Sequence, residues 1–179
     1  MTSSQSPVAG RTGRPALQAR IMRAANVPMR ALLSLPFPTP LSRNLMLLHY
    51  TGRKTGNAYR QPVSYARDSS HAGEGTVLLT PGGGKWTLSL ADGKPVRLRL
   101  RGREVPARPE LITDAGEVDR LFGVIARENP QAARFVPIPR GADGHFDPRA
   151  LDVALRHGFC IVRWHVNERP PAFPPTRYE

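Results

Sequence analysis

The chain has 179 residues, a formal net charge of +12 and one cysteine, Cys160. Its length fits one domain with one hydrophobic core. Its apolar residues form runs well below the roughly 18 consecutive apolar residues of a membrane-spanning helix. A lone cysteine excludes an intramolecular disulfide and a multi-cysteine zinc site, which favours a cytoplasmic protein. The positive charge attracts polyanions, so nucleic acid, anionic lipid and a phosphorylated ligand all stay open as partners.

The N-terminal part of the chain divides into a tail and a helix. Residues 1–16 are rich in Ser, Gly and Pro and lack the apolar stretch of a secretory signal, which predicts a disordered tail. Residues 17–35 repeat apolar side chains at helical spacing, with arginines on the other side. This pattern predicts an amphipathic helix broken near Pro28. We expect the helix to pack on the domain, and its basic face leaves a peripheral membrane contact open.

Two strands joined by a basic turn are predicted next. Residues 44–52 are almost continuously apolar, the turn reads TGRKTGNA, and residues 59–68 alternate. His49 and Tyr50 end the first strand and could face a pocket, although such a histidine more often lies in a core. Residues 75–80 predict a third strand ended by the segment PGGGK, and residues 86–92 predict one or two helical turns.

The clearest strand reads KPVRLRLRG. Val96, Leu98 and Leu100 fall on one face and the intervening arginines on the other, so one face is buried and the other solvated. Gly102 permits a tight turn into REVPARPELI, whose two prolines predict a strand at the edge of the sheet.

Two helices and a last strand follow. Asp114 with Glu117 resembles a helix-capping pair, and apolar residues recur at helical spacing after it. Asp147 before Pro148 predicts the start of a second helix, which Gly158 ends. GFCIVRWHV is the last strand, and residues 169–179 are a proline-rich tail. We therefore expect one α+β domain over residues 17–168, an antiparallel barrel with flanking helices.

The sequence has no protein group that would perform catalysis alone. It lacks HExxH, GxSxG, Walker and GxGxxG motifs, and its histidines show no metal-binding spacing. An enzyme would therefore need a cofactor that supplies the chemistry. TGRKTG and GGGK place backbone N–H groups beside cationic side chains, which suits a phosphate, although such turns are more often solvated hairpins. Trp86 follows GGGK and could stack on a ring or anchor a short helix.

The order of these segments resembles a known family. LMLLHYTGRKTGNAYRQPVSYARD, then TVLLTPGGGKWTLSL, then PVRLRLRGRE are similar to the deazaflavin-dependent nitroreductases, related to the split-barrel flavin-binding oxidoreductases. The resemblance covers roughly residues 43–105. It implies a split antiparallel β-barrel that binds the deazaflavin coenzyme F-420. It also implies hydride transfer between that cofactor and a small-molecule electron acceptor such as a quinone or a nitroaromatic.

The resemblance also implies a set of cofactor-binding residues. The cofactor phosphate would lie near the turn, and its ring near the glycine segment and the tryptophan. The implied residues are Arg53, Lys54, Thr55 and Gly56 for the phosphate, and Thr80, Pro81, Gly82, Gly83, Lys85, Trp86 and Ser89 for the ring. An arginine that often follows this turn in relatives aligns with either Tyr59 or Arg60. Ser89 stands where many relatives have asparagine, and no catalytic residue can be matched.

Two other hypotheses stay open. A protein of the same fold could bind flavin mononucleotide or haem instead of deazaflavin. A basic binding protein for nucleic acid or anionic membrane would explain the charge, but the sequence has no recognised nucleic-acid-binding motif, so we expect no specific nucleic acid. A homodimer also stays open, because dimers are common in related barrels.

Overall fold

The structure, a computed structural model, describes residues 29, 31–35, 39–71 and 76–166. The predicted disordered tail, most of the N-terminal helix with its basic face, and the proline-rich C-terminal tail lie outside these residues.

The described residues form an α+β fold built on one curled antiparallel sheet, a half-barrel in the order β2-β1-β5-β6-β7-β4-β3. The strands are β1 (Leu45–Thr51), β2 (Ala58–Ser64), β3 (Ala66–Arg67), β4 (Thr76–Gly82), β5 (Val96–Leu100), β6 (Arg103–Ile112) and β7 (Cys160–Val166). The helices are α1 (Ala115–Glu128), α2 (Pro130–Arg134) and α3 (Pro148–Arg156). Short 3-10 helices occupy Pro40–Arg43, Ser69–His71 and Thr87–Ser89. The predicted strands are present, except that residues 59–68, predicted as one strand, form the two strands β2 and β3 at opposite edges of the sheet. The two helices predicted to begin after Asp114 and Asp147 are also present.

Two hydrophobic clusters pack on the two faces of the sheet. Leu78 belongs to a cluster with Leu98 and Trp164, whereas its neighbour Leu79 belongs to the cluster that includes Leu121 and Phe122 of α1. Neighbouring residues of a strand point to opposite faces, which explains this division. The half-barrel therefore has helices on one face, and its other face holds a core of strand side chains.

The helices begin where the sequence predicts. The Asp114 carboxylate accepts the backbone N–H of Glu117 at 2.9 Å, and the Asp147 carboxylate accepts that of Ala150 at 2.8 Å. Each bond satisfies a donor that the first helical turn leaves free. Gly158, with φ of 88°, follows the end of α3. The short helix α2 was not predicted, although Asn129 caps it by accepting from Ala132 N–H at 3.1 Å.

The prediction that β6 is an edge strand is wrong. β6 lies between β5 and β7, with Pro106 opposite Arg97 of β5 and Pro109 opposite Trp164 of β7. The reason is that β5 pairs with the first half of β6 and β7 with the second half, and the two registers share only Ala107. Each proline therefore has a paired strand on one side only, so its missing N–H can face the unpaired side.

Candidate functional site

The TGRKTG segment folds into a compact turn between β1 and β2. Gly52 N–H donates to the Asn57 carbonyl and Gly56 N–H to the Gly52 carbonyl, both at 2.9 Å. Gly56 has φ of 68°, a backbone conformation that favours glycine. The Thr55 hydroxyl oxygen accepts Asn57 N–H at 3.3 Å. These bonds fix the ends of the turn, and Arg53 lies at its exposed tip.

The same bonds determine which backbone donors an anion could use. Arg53 N–H points to the Ser89 hydroxyl oxygen at 3.4 Å, a long and weak contact that joins the turn to the 3-10 helix at Thr87–Ser89. Lys54 N–H and Thr55 N–H have no acceptor among the residues that the structure describes. Two adjacent backbone donors therefore lie at the tip of the turn, where an oxyanion could accept from both.

A pair of tyrosines stands beside the turn. Tyr50 and Tyr59 lie directly opposite each other on β1 and β2. Their rings stack with centroids 5.4 Å apart and planes 21° apart. The Tyr59 hydroxyl is 3.2 Å from the Thr55 hydroxyl oxygen, which joins the pair to the turn. Tyr50 also packs against the core cluster of the sheet, so the pair connects that core to the turn.

A cavity of about 440 Å³ opens between the turn and the 3-10 helix. This volume lies in the range of small-molecule sites, about 300 to 1,000 Å³. Its lining consists of Tyr50, Gly52, Arg53, Lys54, Thr55, Tyr59, Lys85, Trp86, Leu88 and Ser89. Leu88 is 56% exposed and Tyr59 41% exposed, which are high values for large apolar side chains. The cavity therefore combines an aromatic and apolar wall with hydroxyl groups and cations.

The electrostatics of the cavity favour an anion. Among the residues that the structure describes, its lining contains Arg53, Lys54 and Lys85 but no Asp, Glu or His. None of the three cations forms an ion pair with a carboxylate of a described residue. Unpaired cations beside a partly enclosed apolar surface attract phosphate and carboxylate groups more strongly than cations in open solvent do.

The space beside Gly82, near the start of the 3-10 helix, is filled by side chains of that helix and of β7. The Thr87 hydroxyl donates to the Gly84 carbonyl at 2.9 Å. A Cβ on Gly82 would lie 2.9 Å from Thr87 Cγ2 and 3.2 Å from Cys160 Sγ, so these side chains fill the space beside Gly82. Burial raises the pKa of the Cys160 thiol to about 11. Cys160 is therefore a packing residue rather than a nucleophile.

Seven of the residues implied by the family resemblance line the cavity: Arg53, Lys54, Thr55, Tyr59, Lys85, Trp86 and Ser89. Six others do not: Gly56 lies in the turn outside the lining, Arg60 lies on β2, and Thr80, Pro81, Gly82 and Gly83 lie on or just after β4. Thr80 is 1% exposed, and its hydroxyl accepts Trp164 Nε1–H at 2.9 Å. This hydroxyl is thus already engaged in the core.

Tyr59 and Arg60, the two residues with which the arginine of relatives could align, lie on opposite faces of the sheet. Tyr59 lines the cavity, whereas Arg60 pairs with His49 and lies on the other face of the sheet. Burial, the larger influence, and nearby arginines, Arg60 included, lower the pKa of His49, although Glu104 opposes them. Of the two residues at the end of β1, Tyr50 thus faces the cavity and His49 does not.

Three lining residues were not assigned as binding residues from the sequence: Tyr50, Gly52 and Leu88. Gly52 belongs to the TGRKTG motif, and Tyr50 precedes it, so the motif itself was the available signal. Leu88 had no such signal, because its place depends on how the 3-10 helix lies against the turn.

Among the described residues no group of three His, Cys, Asp or Glu side chains could hold a metal ion. In that same part of the chain, no helix has the length and apolar character needed to cross a membrane.

The sequence matches no protein-family model and no curated protein. Among solved structures, the chain is similar to one from Bacteroides thetaiotaomicron described as a candidate 5-nitroimidazole antibiotic resistance protein. The similarity covers 70% of this chain and 74% of that chain, with 14% sequence identity and a TM-score of 0.45. A similarity of that size assigns neither a family nor an activity to this chain.

Proposed function

We propose that this chain is a cytoplasmic oxidoreductase of the split-barrel flavin-binding class that uses coenzyme F-420 and acts on an electron-poor acceptor such as a quinone or a nitroaromatic. The proposal rests on one observation above all. Arg53, Lys54 and Lys85 line a cavity that has an aromatic wall and, in the described part of the chain, no acidic side chain. A ligand that combines a planar ring with an anionic group fits such a lining.

The residues of the cavity suit the parts of such a cofactor. The exposed side chains of Arg53 and Lys54, with the free N–H groups of Lys54 and Thr55, suit a phosphate. Lys85 suits a second anionic group. Trp86 is half-buried and packs against the core, so it offers a fixed ring for stacking.

When bound, the deazaflavin supplies the hydride-transfer chemistry that this chain's side chains do not. The chain's contribution is binding and orientation. The turn residues fix the anionic end, Trp86 and the tyrosine pair orient the ring, and Leu88 adds apolar surface that reduces contact with water. Among the described residues, the lining contains no carboxylate or imidazole, so the ammonium groups of Lys54 and Lys85, hydroxyl groups and water are the proton donors nearest to a bound acceptor.

Flavin mononucleotide is the second candidate ligand, because it also joins a planar ring to a phosphate. Haem fits the lining less well, since the described residues of the cavity include no His, Met or Cys and, of the common haem ligands, offer only tyrosine. A pure polyanion-binding role would not require the enclosed aromatic wall. Titration of the full chain with F-420, flavin mononucleotide, haem and duplex DNA, followed by tryptophan fluorescence, separates these ligands. We expect the tightest binding for F-420, and no binding of F-420 would overturn the proposal.

A further inference from the structure

Tyr59 lines the cavity and stacks on Tyr50. We infer that the planar ring of the ligand stacks on the ring of Tyr59, so that Tyr59 is a ring-binding residue and not only part of the hairpin. The inference rests on the proposed function, which identifies the ring as that of a deazaflavin. Its test also works with another ligand that has an aromatic ring. It also places the ring away from Thr80, which the family resemblance would set beside it.

The first support is the register of the hairpin. Tyr59 pairs with Tyr50 and lines the cavity, whereas the next residue, Arg60, pairs with His49 on the opposite face. A shift of one residue would exchange the two side chains. The register therefore places an aromatic ring, and not a guanidinium, at this point of the cavity wall.

The second support is the exposure of the tyrosine pair. Tyr59 is 41% exposed although it stacks on Tyr50 and bonds to the Thr55 hydroxyl. An aromatic ring that is held in place on its neighbour and still open to a cavity offers a preorganised stacking surface. Offset stacking of two rings adds about 0.5 to 1.5 kcal/mol to their burial.

The third support is the space that Gly52 leaves for this ring. A Cβ on Gly52 would lie 2.6 Å from Tyr59 Cε2 and 2.8 Å from the Thr55 hydroxyl oxygen. The ring of Tyr59 therefore leans on the backbone of the turn that suits the phosphate. A ring stacked on Tyr59 and an anion at Lys54 would be neighbours, as they must be within one small ligand.

The part of the alternative ring location at Thr80 and Gly82 is already filled. Thr80 is buried against Trp164, and the side chains of Thr87, Val162 and Cys160 occupy the space beside Gly82. A ring could reach the space beside Thr80 and Gly82 only if these core side chains moved. The cavity beside Tyr59 needs no such movement.

The test compares probes with and without a ring. Wild type and Tyr59→Leu are titrated with F-420, with flavin mononucleotide and with ribitol 5-phosphate, which keeps a phosphate but has no ring. We expect Tyr59→Leu to bind the two aromatic probes about five- to thirtyfold more weakly and to bind ribitol 5-phosphate within about twofold of wild type. Tyr59→Phe, which keeps the ring, should stay within about threefold of wild type for every probe.

The outcomes separate this inference from the proposed function. Wild-type binding of flavin mononucleotide but not of F-420 would overturn the proposed function, and the inference would then be judged on flavin mononucleotide. Equal affinity of Tyr59→Leu and wild type for the aromatic probes would overturn the inference alone. Wild type that binds neither aromatic probe more tightly than ribitol 5-phosphate would overturn both. Should Tyr59→Leu fail to fold, Tyr59→Val, whose β-branched side chain suits a strand, replaces it with the same expectation.

Discussion

Gly52 and Tyr59 are in such close contact that position 52 has no room for a side chain: a Cβ there would lie 2.6 Å from Tyr59 Cε2. The contact joins the first residue of the turn to the aromatic wall of the cavity. Gly52 is therefore required for packing rather than for unusual backbone angles.

Gly52→Ala should lower the free energy of unfolding by about 1 to 3 kcal/mol, because the added methyl group must displace the Tyr59 ring or the turn. The matched control is Gly123→Ala on α1, where an added Cβ meets nothing within 4 Å. That variant should raise the free energy of unfolding by about 0.5 to 1 kcal/mol, since alanine is the better helix former. Urea denaturation measures both. Equal effects of the two substitutions would show that the contact between Gly52 and Tyr59 does not limit packing.

Trp86 is expected to contact the bound cofactor. Trp86→Ala should weaken F-420 binding by about 1 kcal/mol or somewhat more, beyond any loss of stability, because a stacked ring is removed. Isothermal titration at a temperature where wild type and variant are both folded measures the affinity. Unchanged affinity in a folded variant would make Trp86 a core residue only.

Cys160 should be almost unreactive in the folded protein. Burial, opposed only by a hydrogen bond with Thr87, raises its pKa to about 11 from 9.0, so the thiolate fraction near pH 8 falls by about a hundredfold. We expect a thiol reagent such as dithionitrobenzoate to modify the native chain at least about a hundredfold more slowly than the urea-unfolded chain. Equal rates in the two states would mean that the core around Cys160 is open to solvent.

His145 should titrate above its ordinary range. Its Nδ1 lies 2.5 Å from an Asp119 carboxylate oxygen, and this hydrogen bond raises the pKa of His145 from 6.5. The stability that the pair contributes is therefore fully present below pH 6.5 and is lost as pH rises through the raised pKa. NMR titration of the His145 ring should show the raised pKa, and Asp119→Asn should return it toward 6.5. A pKa of His145 that does not respond to Asp119→Asn would contradict this reading.

The sequence predicted those parts of the fold that depend on local pattern. The alternation of Val96, Leu98 and Leu100 indicated β5, and the capping residue Asp114 indicated the start of α1, because both signals lie within a few residues. The position of β6 could not be predicted in this way. Its prolines indicate an edge strand only if one neighbouring strand pairs along the whole length of β6. In the structure β5 and β7 each pair with one half of β6, and this division depends on residues far apart in sequence.

The candidate site shows the same limit. The cationic turn and Trp86 could be identified because their motifs are contiguous in sequence. The face of the sheet on which Tyr59 lies depends on the register between β1 and β2. A shift of that register by one residue would move the Tyr59 side chain to the other face. Thr80 could not be excluded from the cavity by sequence either, since its hydroxyl is engaged by Trp164, 84 residues further along the chain.

The central claim is that the TGRKTG turn binds the phosphate of a cofactor. The most direct test is a titration of wild type and of the double variant Arg53→Ala with Lys54→Ala. Arg101→Ala with Arg103→Ala is the matched control, because it removes the same charge from exposed positions at the turn between β5 and β6. Each protein is titrated with F-420 and with duplex DNA at two salt concentrations.

We predict that the turn variant binds F-420 more weakly by roughly 2 to 4 kcal/mol, with little change in Tm, because charge-assisted hydrogen bonds to the phosphate are lost while surface charges contribute little to folding. The control variant should bind F-420 as wild type does. Binding of DNA, if it occurs, should fall steeply with salt and equally in both variants, because counterion release is shared over many cations. Wild type without affinity for F-420, or an F-420 affinity that is the same in wild type and in the turn variant, would contradict the claim.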